Sequence, residues 1–252
     1  MRKIPVNNFR DVSGYRNAEG KVLKANRIFR GAALNHLTDE DARYLRDELG
    51  IKYILDYRDE MEADAKQDVV CEGMEYIRIS ALKTSGQGRG FDFGELLAKK
   101  MTAEHLVFIR DYLLDGYRHM PFDNPAYHKL FELLLRNDGN IYFHCSAGKD
   151  RTGISAFLIM MALDMSEEDA VAEYLKSNRS LEGFVQEFYK AHPVAPEYRK
   201  YSDSVLYVTE ENIRTSISAI REKYATYPEY LEKENGMDAR KRAMLKAIYC
   251  EP

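Results

Sequence analysis

Apolar positions along the chain change their spacing repeatedly, and each change marks an element. Thr38 followed by Asp41 has capping-box spacing, so Asp39 to Leu49 is expected to be a helix stopped by Gly50. Ile51 to Leu55 is a short apolar run with β-branched content, the pattern of a buried strand, and it ends at Asp56-Tyr57-Arg58-Asp59. A second strand is expected at Glu75 to Ile79. Ser80 to Gly94, rich in Gly, Ser and Lys, then reads as a mobile loop, and Glu95 to Leu114 as a helix. Asn124-Pro125 opens another helix, on which Tyr127, Leu130, Phe131 and Leu134 share a face up to the break at Asn137-Asp138-Gly139. Ile141 to Phe143 is a short apolar strand, followed at once by Cys145 to Gly153 and the apolar helix Ile154 to Leu163. Further helices are expected at Glu167 to Ser177, capped by Ser166, at Leu181 to Tyr189, and at Asp238 to Tyr249. Between these, Glu210 to Tyr224 carries Ile213, Ile217, Ile220 and Tyr224 as one stripe.

Strands alternating with helices argue for an α/β fold, a central mostly parallel sheet flanked by helices, to which the last third adds helices alone. A chain of 252 residues with 45% hydrophobic content can bury a full core as one domain, taken here as 1–252. Residues 80–125 form the one long insertion: a lid or binding element, or a surface insertion without function. The net charge of −4 arises from 37 basic and 41 acidic residues mixed along the chain, with no basic stripe. Nucleic acid is therefore excluded as the main partner, and any anion site must be local. Cys71, Cys145 and Cys250 have no metal or disulfide spacing, which suits a reducing compartment. Met1 to Val12 lacks the apolar stretch of a secretory signal, and no window reaches the roughly 18 apolar residues of a membrane span. A cytoplasmic location without a transmembrane segment is the expectation.

The stretch that carries chemistry is His144-Cys145-Ser146-Ala147-Gly148-Lys149-Asp150-Arg151-Thr152-Gly153. Five residues between cysteine and arginine allow the backbone to curl until successive N–H groups point at one centre, where a phosphate fits. The loop also opens a helix, whose unpaired N–H groups and positive dipole end favour both a thiolate and a bound dianion. Only the thiolate is nucleophilic, so a cysteine in such a field is a candidate nucleophile. Arg151 adds a planar fork suited to two phosphoryl oxygens, and the Thr152 hydroxyl can donate to sulfur. Ser146, Ala147, Gly148, Lys149, Asp150, Arg151 and Thr152 are the expected phosphate-binding residues; no metal or other cofactor is expected.

His144 to Gly153 resembles the signature of the cysteine-based protein tyrosine phosphatase superfamily. Asn8-Phe9-Arg10-Asp11, Arg30-Gly31, Leu37-Thr38 and Ile54-Leu55-Asp56-Tyr57-Arg58 resemble, in order, the landmarks of its bacterial tyrosine/serine phosphatase family, and Tyr224 to Tyr249 resembles that family's closing helices. Tyr57 stands where leucine is commoner and Ser13 where glycine is commoner. The resemblance implies a protein tyrosine phosphatase-like fold and hydrolysis of phosphate monoesters through a phosphocysteine on Cys145. Its substrates would be phosphotyrosine, phosphoserine or phosphothreonine proteins, or phosphoinositides.

Competing readings lose on the residues. Gly148-Lys149 lacks the Ser or Thr and the first glycine of a nucleotide-binding loop, because Asp150 and Phe143 stand there. His144 is adjacent to Cys145, so the two point to opposite faces of a strand and cannot form a protease pair; His144 is expected to orient the loop. Cys71 and Cys250 are expected to be structural. For the general acid, the usual aspartate position near Ser80 to Lys83 is empty of aspartate, and Asp150 inside the loop is the candidate, as in myotubularin-like phosphatases; a residue that only steadies Arg151 is the competing role. Asp56 is second and Asp92 third. Lys149 resembles the extra charge of phosphoinositide phosphatases, against a plain solvated lysine. Arg10 and Arg30 could line the same basin, but arginines near a domain's termini are more often surface or structural residues, so they stay outside the candidate site. A catalytically inactive phosphate-binding module of the same fold is the alternative function.

Overall fold

The computed structural model describes residues 2–85 and 103–252. Its first strands, β1 (Arg10–Asp11), β2 (Val22–Leu23) and β3 (Ile28–Gly31), precede α1 (Asp39–Asp47), where Thr38 and Asp41 form the expected capping box. Then follow β4 (Ile51–Asp56), α2 (Glu60–Ala65) and β5 (Glu75–Arg78). Helices α3 (Ala103–His119) and α4 (Pro125–Arg136) lead into β6 (Asn140–His144), with Asn124 capping α4 and Asn137 closing it in the left-handed region. The rest is helical: α5 (Arg151–Ala162), α6 (Glu167–Leu175), α7 (Ser177–Ala191), a 3-10 turn at Pro196–Tyr198, α8 (Arg199–Leu206), α9 (Glu210–Lys223), α10 (Tyr227–Asn235) and α11 (Ala239–Tyr249). A short β7 (Cys250–Glu251) pairs with β2.

The main sheet runs β1-β3-β6-β4-β5, with β3, β6, β4 and β5 parallel and β1 antiparallel at the edge. This is the α/β architecture expected, with β6 at its centre. Burial of β6 between β3 and β4 explains why Ile141, Tyr142 and Phe143 form a continuous apolar run rather than an alternating one. A crossing helix follows each of its central strands, and the loop after β6 therefore lies at the carboxyl ends of the strands. Helix α5 is buried from Thr152 to Ala162, which accounts for its apolar character all round.

Two apolar layers sandwich the sheet, one around α4, α5 and α9 and one built by Ile4, Val6, Phe29, Leu34, Leu45 and Ile54. A satellite cluster joins Ile109 of α3 to Leu181 and Val185 of α7 and to Val205 and Leu206 of α8. Within the expected insertion, Leu106, Ile109, Leu113, Tyr117 and Met120 are buried, so Ala103–His119 is packed into the body. The loop from 86 and the beginning of the expected Glu95 helix, Asp92 included, lie outside the described residues. Among the described residues no helix is long and apolar enough to cross a membrane.

Several elements were not anticipated. β3 is four residues long and contains Arg30, yet all four are buried. α2 and α8 are short and polar, so no apolar period marks them.

Candidate active site

The chain leaves the central strand at His144, passes through Cys145 to Asp150, and enters α5 at Arg151. The carbonyls of this loop are taken up by the protein around it. His144 Nδ1 lies 3.1 Å from the Cys145 carbonyl, the Ala33 N–H donates to Ser146 O at 3.2 Å, and Gly148 O accepts from Asn8 Nδ2 at 2.7 Å and Arg30 Nη2 at 2.9 Å. By contrast, no backbone N–H from Ser146 to Asp150 meets an acceptor among the described residues. A loop with its carbonyls paired and its N–H groups unpaired is polarised for an anion. Gly148 makes the turn possible: its φ is +64°, and a Cβ there would stand 2.0 Å from Gly31 O.

Cys145 sits at the loop's start, 2% exposed. Burial pushes its thiol up, but the Arg151 charge and the hydroxyl and N–H of Thr152 more than reverse this, leaving the thiol below its ordinary value. Thr152 Oγ1 is buried without a hydrogen-bond partner among the described residues.

Arg151 is held by Glu62 of α2. Nη1 and Nη2 meet the two Glu62 oxygens at 2.5 and 2.8 Å, and Nη1 also donates to Tyr57 O at 3.3 Å. Three of five N–H donors are thereby used. Nε–H and the remaining N–H of Nη2, which form the other edge of the guanidinium, have no partner among the described residues. This second fork can take two phosphoryl oxygens while Glu62 keeps the first. Glu62 accepts from Ser146 Oγ as well, at 2.7 Å, and its carboxylate also completes the α2 capping box with Asp59. Burial pushes Glu62 up, but Arg151 and these donors hold it down at about 2.

A family model for the tyrosine phosphatase family matches residues 4–251. The chain belongs to this family. It is 29% identical over 262 residues to the triple specificity protein phosphatase PtpB of Mycobacterium tuberculosis, covering 92% of each chain. It is 26% identical over 174 residues to H16_A0669 of Cupriavidus necator, where the match covers 69% of this chain and 61% of that one, so the chain spans about three fifths of that relative's length. Among solved structures, the core catalytic domain of the PP-IP phosphatase SIW14 from S. cerevisiae aligns at 19% identity and a TM-score of 0.37, covering 86% of this chain and 95% of that one.

Within this tyrosine phosphatase family member, the residues expected from the sequence fall into different places. Cys145, Ser146, Ala147, Gly148, Arg151 and Thr152 lie together in the loop after β6 and the first turn of α5. Asp150 is the N-cap of α5 but makes no cap hydrogen bond; its carboxylate accepts from Tyr117 Oη at 2.6 Å and pairs with Lys149 Nζ at 2.9 Å. The partner of Arg151 is thus Glu62, and Asp150 does not steady it by a direct ion pair. Lys149 is neither solvated nor aimed at the loop's centre. Its buried ammonium also donates to Val205 O at 2.9 Å, tying the loop to the end of α8.

Asp56 is fully buried and bonded to Arg58 and Tyr76. Although burial pushes it up, His144, Arg58 and the Tyr76 hydroxyl hold it ionised at about 2. Asp68 also joins this cluster through Arg58 Nη2 at 2.8 Å and His144 Nε2 at 3.0 Å. Asp56, Asp68 and His144 have the spacing of a metal-ligand set, but the Arg58 guanidinium bonds both carboxylates and supplies the positive charge there. The cluster braces the ends of β4 and β6 beneath the loop.

Sequence reasoning missed Glu62 and Glu173 and met Asn8 only as a family landmark, while Arg30 takes the structural role expected of it. Arg30 is fully buried between Gly148 O and Glu173 Oε1 at 3.1 Å, and burial pulls its guanidinium down to about 10. Arg10 meets the same Glu173 at 3.0 Å. Cys71 and Cys250 are free thiols outside the loop. Clefts of about 320 Å³ at Tyr224 and Tyr227 and about 460 Å³ at Asn26 and Tyr44 contain none of the loop residues.

Proposed function

We propose that this chain is a cysteine-dependent phosphatase that hydrolyses phosphate monoesters through a phosphocysteine on Cys145. The observation that carries this reading is the polarised loop, with unpaired N–H groups from Ser146 to Asp150 around a thiol held below its ordinary value. In the first step the Cys145 thiolate attacks phosphorus, an S–P bond forms, and the ester P–O bond breaks. The leaving oxygen takes its proton from Asp150. Arg151 and the loop N–H groups hold the three equatorial oxygens, whose charge they match best in the transition state. In the second step water attacks phosphorus, its proton passes to Asp150, and the S–P bond breaks to release phosphate and the thiolate, with Thr152 stabilising the departing sulfur.

The substrate class follows from kinship rather than from geometry. The Mycobacterium tuberculosis relative is named a triple specificity protein phosphatase, and we extend a comparable breadth to this chain: phosphotyrosine first, with phosphoserine, phosphothreonine and phosphoinositides as further substrates. An inactive phosphate-binding module would not need a lowered thiol, so catalysis is favoured. The test is rapid-quench trapping with a ³²P-labelled phosphotyrosyl peptide. Wild type quenched in denaturant should give an alkali-stable covalent label on Cys145, and Cys145→Ser should lose turnover while still binding inorganic phosphate. Turnover retained by the serine variant would refute the covalent route.

A further inference from the structure

Two buried tyrosines beside the loop have no part in the mechanism above. Tyr117 of α3 donates its hydroxyl hydrogen to Asp150 Oδ1 at 2.6 Å and stands 2.6 Å from the Tyr174 hydroxyl of α6. Both phenols are fully buried, and the rings meet edge to face with centroids 6.3 Å apart. The chain therefore runs from Tyr174 through Tyr117 to the carboxyl of the loop.

Two further features show that the fold makes room for this pair. A Cβ on Gly153 would stand 2.6 Å from the Tyr174 ring, so the missing side chain in the first turn of α5 is what lets Tyr174 pack there. The Asp150 side chain makes no hydrogen bond to its own helix, and its other side-chain partner among the described residues is Lys149, whose ammonium is shared with the Val205 carbonyl. Tyr117 is the rigid contact that sets the carboxyl's direction.

We infer that Tyr117, backed by Tyr174, is a positioning residue that aims Asp150 during proton transfer. The inference rests on the reading of Asp150 as the group that gives and takes the proton. An Oδ1 that accepts from Tyr117 keeps that bond in both halves of the reaction, since it remains an acceptor when Oδ2 carries the proton and is a stronger one when the carboxyl is ionised. Helix α3, from the segment between the second strand and the core helix, thus contributes directly to the loop's chemistry.

The test is a double-mutant cycle on the full chain with Tyr117→Phe and Asp150→Asn, assayed on an alkyl phosphate and on 4-nitrophenyl phosphate. Tyr117→Phe removes one hydroxyl and keeps the ring. It should lower kcat about tenfold on the alkyl ester, whose leaving group needs a proton, and much less on the aryl ester, with KM little changed. In the Asp150→Asn background the same substitution should cost nothing further. Additive losses, or equal losses on both substrates, would mean that Tyr117 only supports the fold and would overturn the inference. Should Tyr117→Phe fail to fold, Tyr174→Phe carries the test: a loss confined to the alkyl ester upholds the chain, and a uniform loss or none overturns it. An inactive wild type would instead sink the phosphatase reading itself. Uniform loss in Asp150→Asn, with an active wild type, would remove Asp150 as proton carrier and the inference with it.

Discussion

Glu62→Gln removes one charge from the pair that aims Arg151 and keeps nearly the same shape. Both side chains are little exposed, 13% for Glu62 and 12% for Arg151, so solvent screens the pair weakly. A carboxyl held at about 2 instead of 4.5 prefers its ionised form by roughly 3 kcal/mol, and glutamine recovers part of this through its carbonyl. We expect a loss of about 2 kcal/mol in unfolding free energy at pH 7. The sign with pH follows from the direction of the shift. Because the native value is depressed, the stabilisation is complete above about 4.5 and is lost as pH falls toward 2. Urea titrations of wild type and variant at pH 7 and pH 3 measure this directly, and the gap between the two midpoints should narrow at the lower pH. A gap of equal size at both values, or none at pH 7, would show that the Glu62 charge does not hold Arg151.

Gly148→Ala should destabilise by about 3 kcal/mol or more, since a left-handed residue gains a Cβ 2.0 Å from backbone that cannot give way; a variant within 1 kcal/mol of wild type in chemical unfolding would refute the close approach. Asp68→Asn tests the cluster beneath the loop. Burial pushes His144 down, but the Asp68 hydrogen bond and the charges of Asp56 and Asp68 raise it above 6.5, so its stabilisation is full below pH 6.5 and fades as pH rises through the native value. Thermal melts from pH 5.5 to 9 should show the variant's deficit shrinking toward alkaline pH, and a deficit that grows would contradict the raised histidine.

What could be read from the sequence was local. The strand, loop and helix from Ile141 to Leu163 follow from apolar period and glycine placement, and the caps at Thr38, Asn124 and Ser166 follow from pairs three residues apart or fewer. Cys145, the proposed nucleophile, and Arg151 lie six positions apart in one segment, so their spacing alone implied an anion cradle. The partners of that loop come from far along the chain. Glu62 reaches Arg151 across 89 residues, Arg30 reaches Gly148 across 118, and Asn8 across 140. Glu62 left one signal, its capping-box spacing from Asp59 just after a strand parallel to β6, which sets the first turn of α2 at the carboxyl edge of the sheet beside the loop.

Composition misleads for such residues, because a lone arginine or glutamate reads as solvated until the sheet order places an opposite charge against it. Only the parallel register of β3, β6 and β4 brings Arg30, Asp56 and His144 to one edge, and only the packing of α3 against α8 and α9 carries Tyr117 to Asp150. Lys149 shows the same limit from inside the motif. Its place in the loop was evident, but whether its ammonium faced a ligand, solvent or the end of α8 depended on a carbonyl 56 residues away. Periodicity and caps are set by neighbours a few bonds apart, whereas the pairing of a buried charge is set by whichever element the fold lays against it.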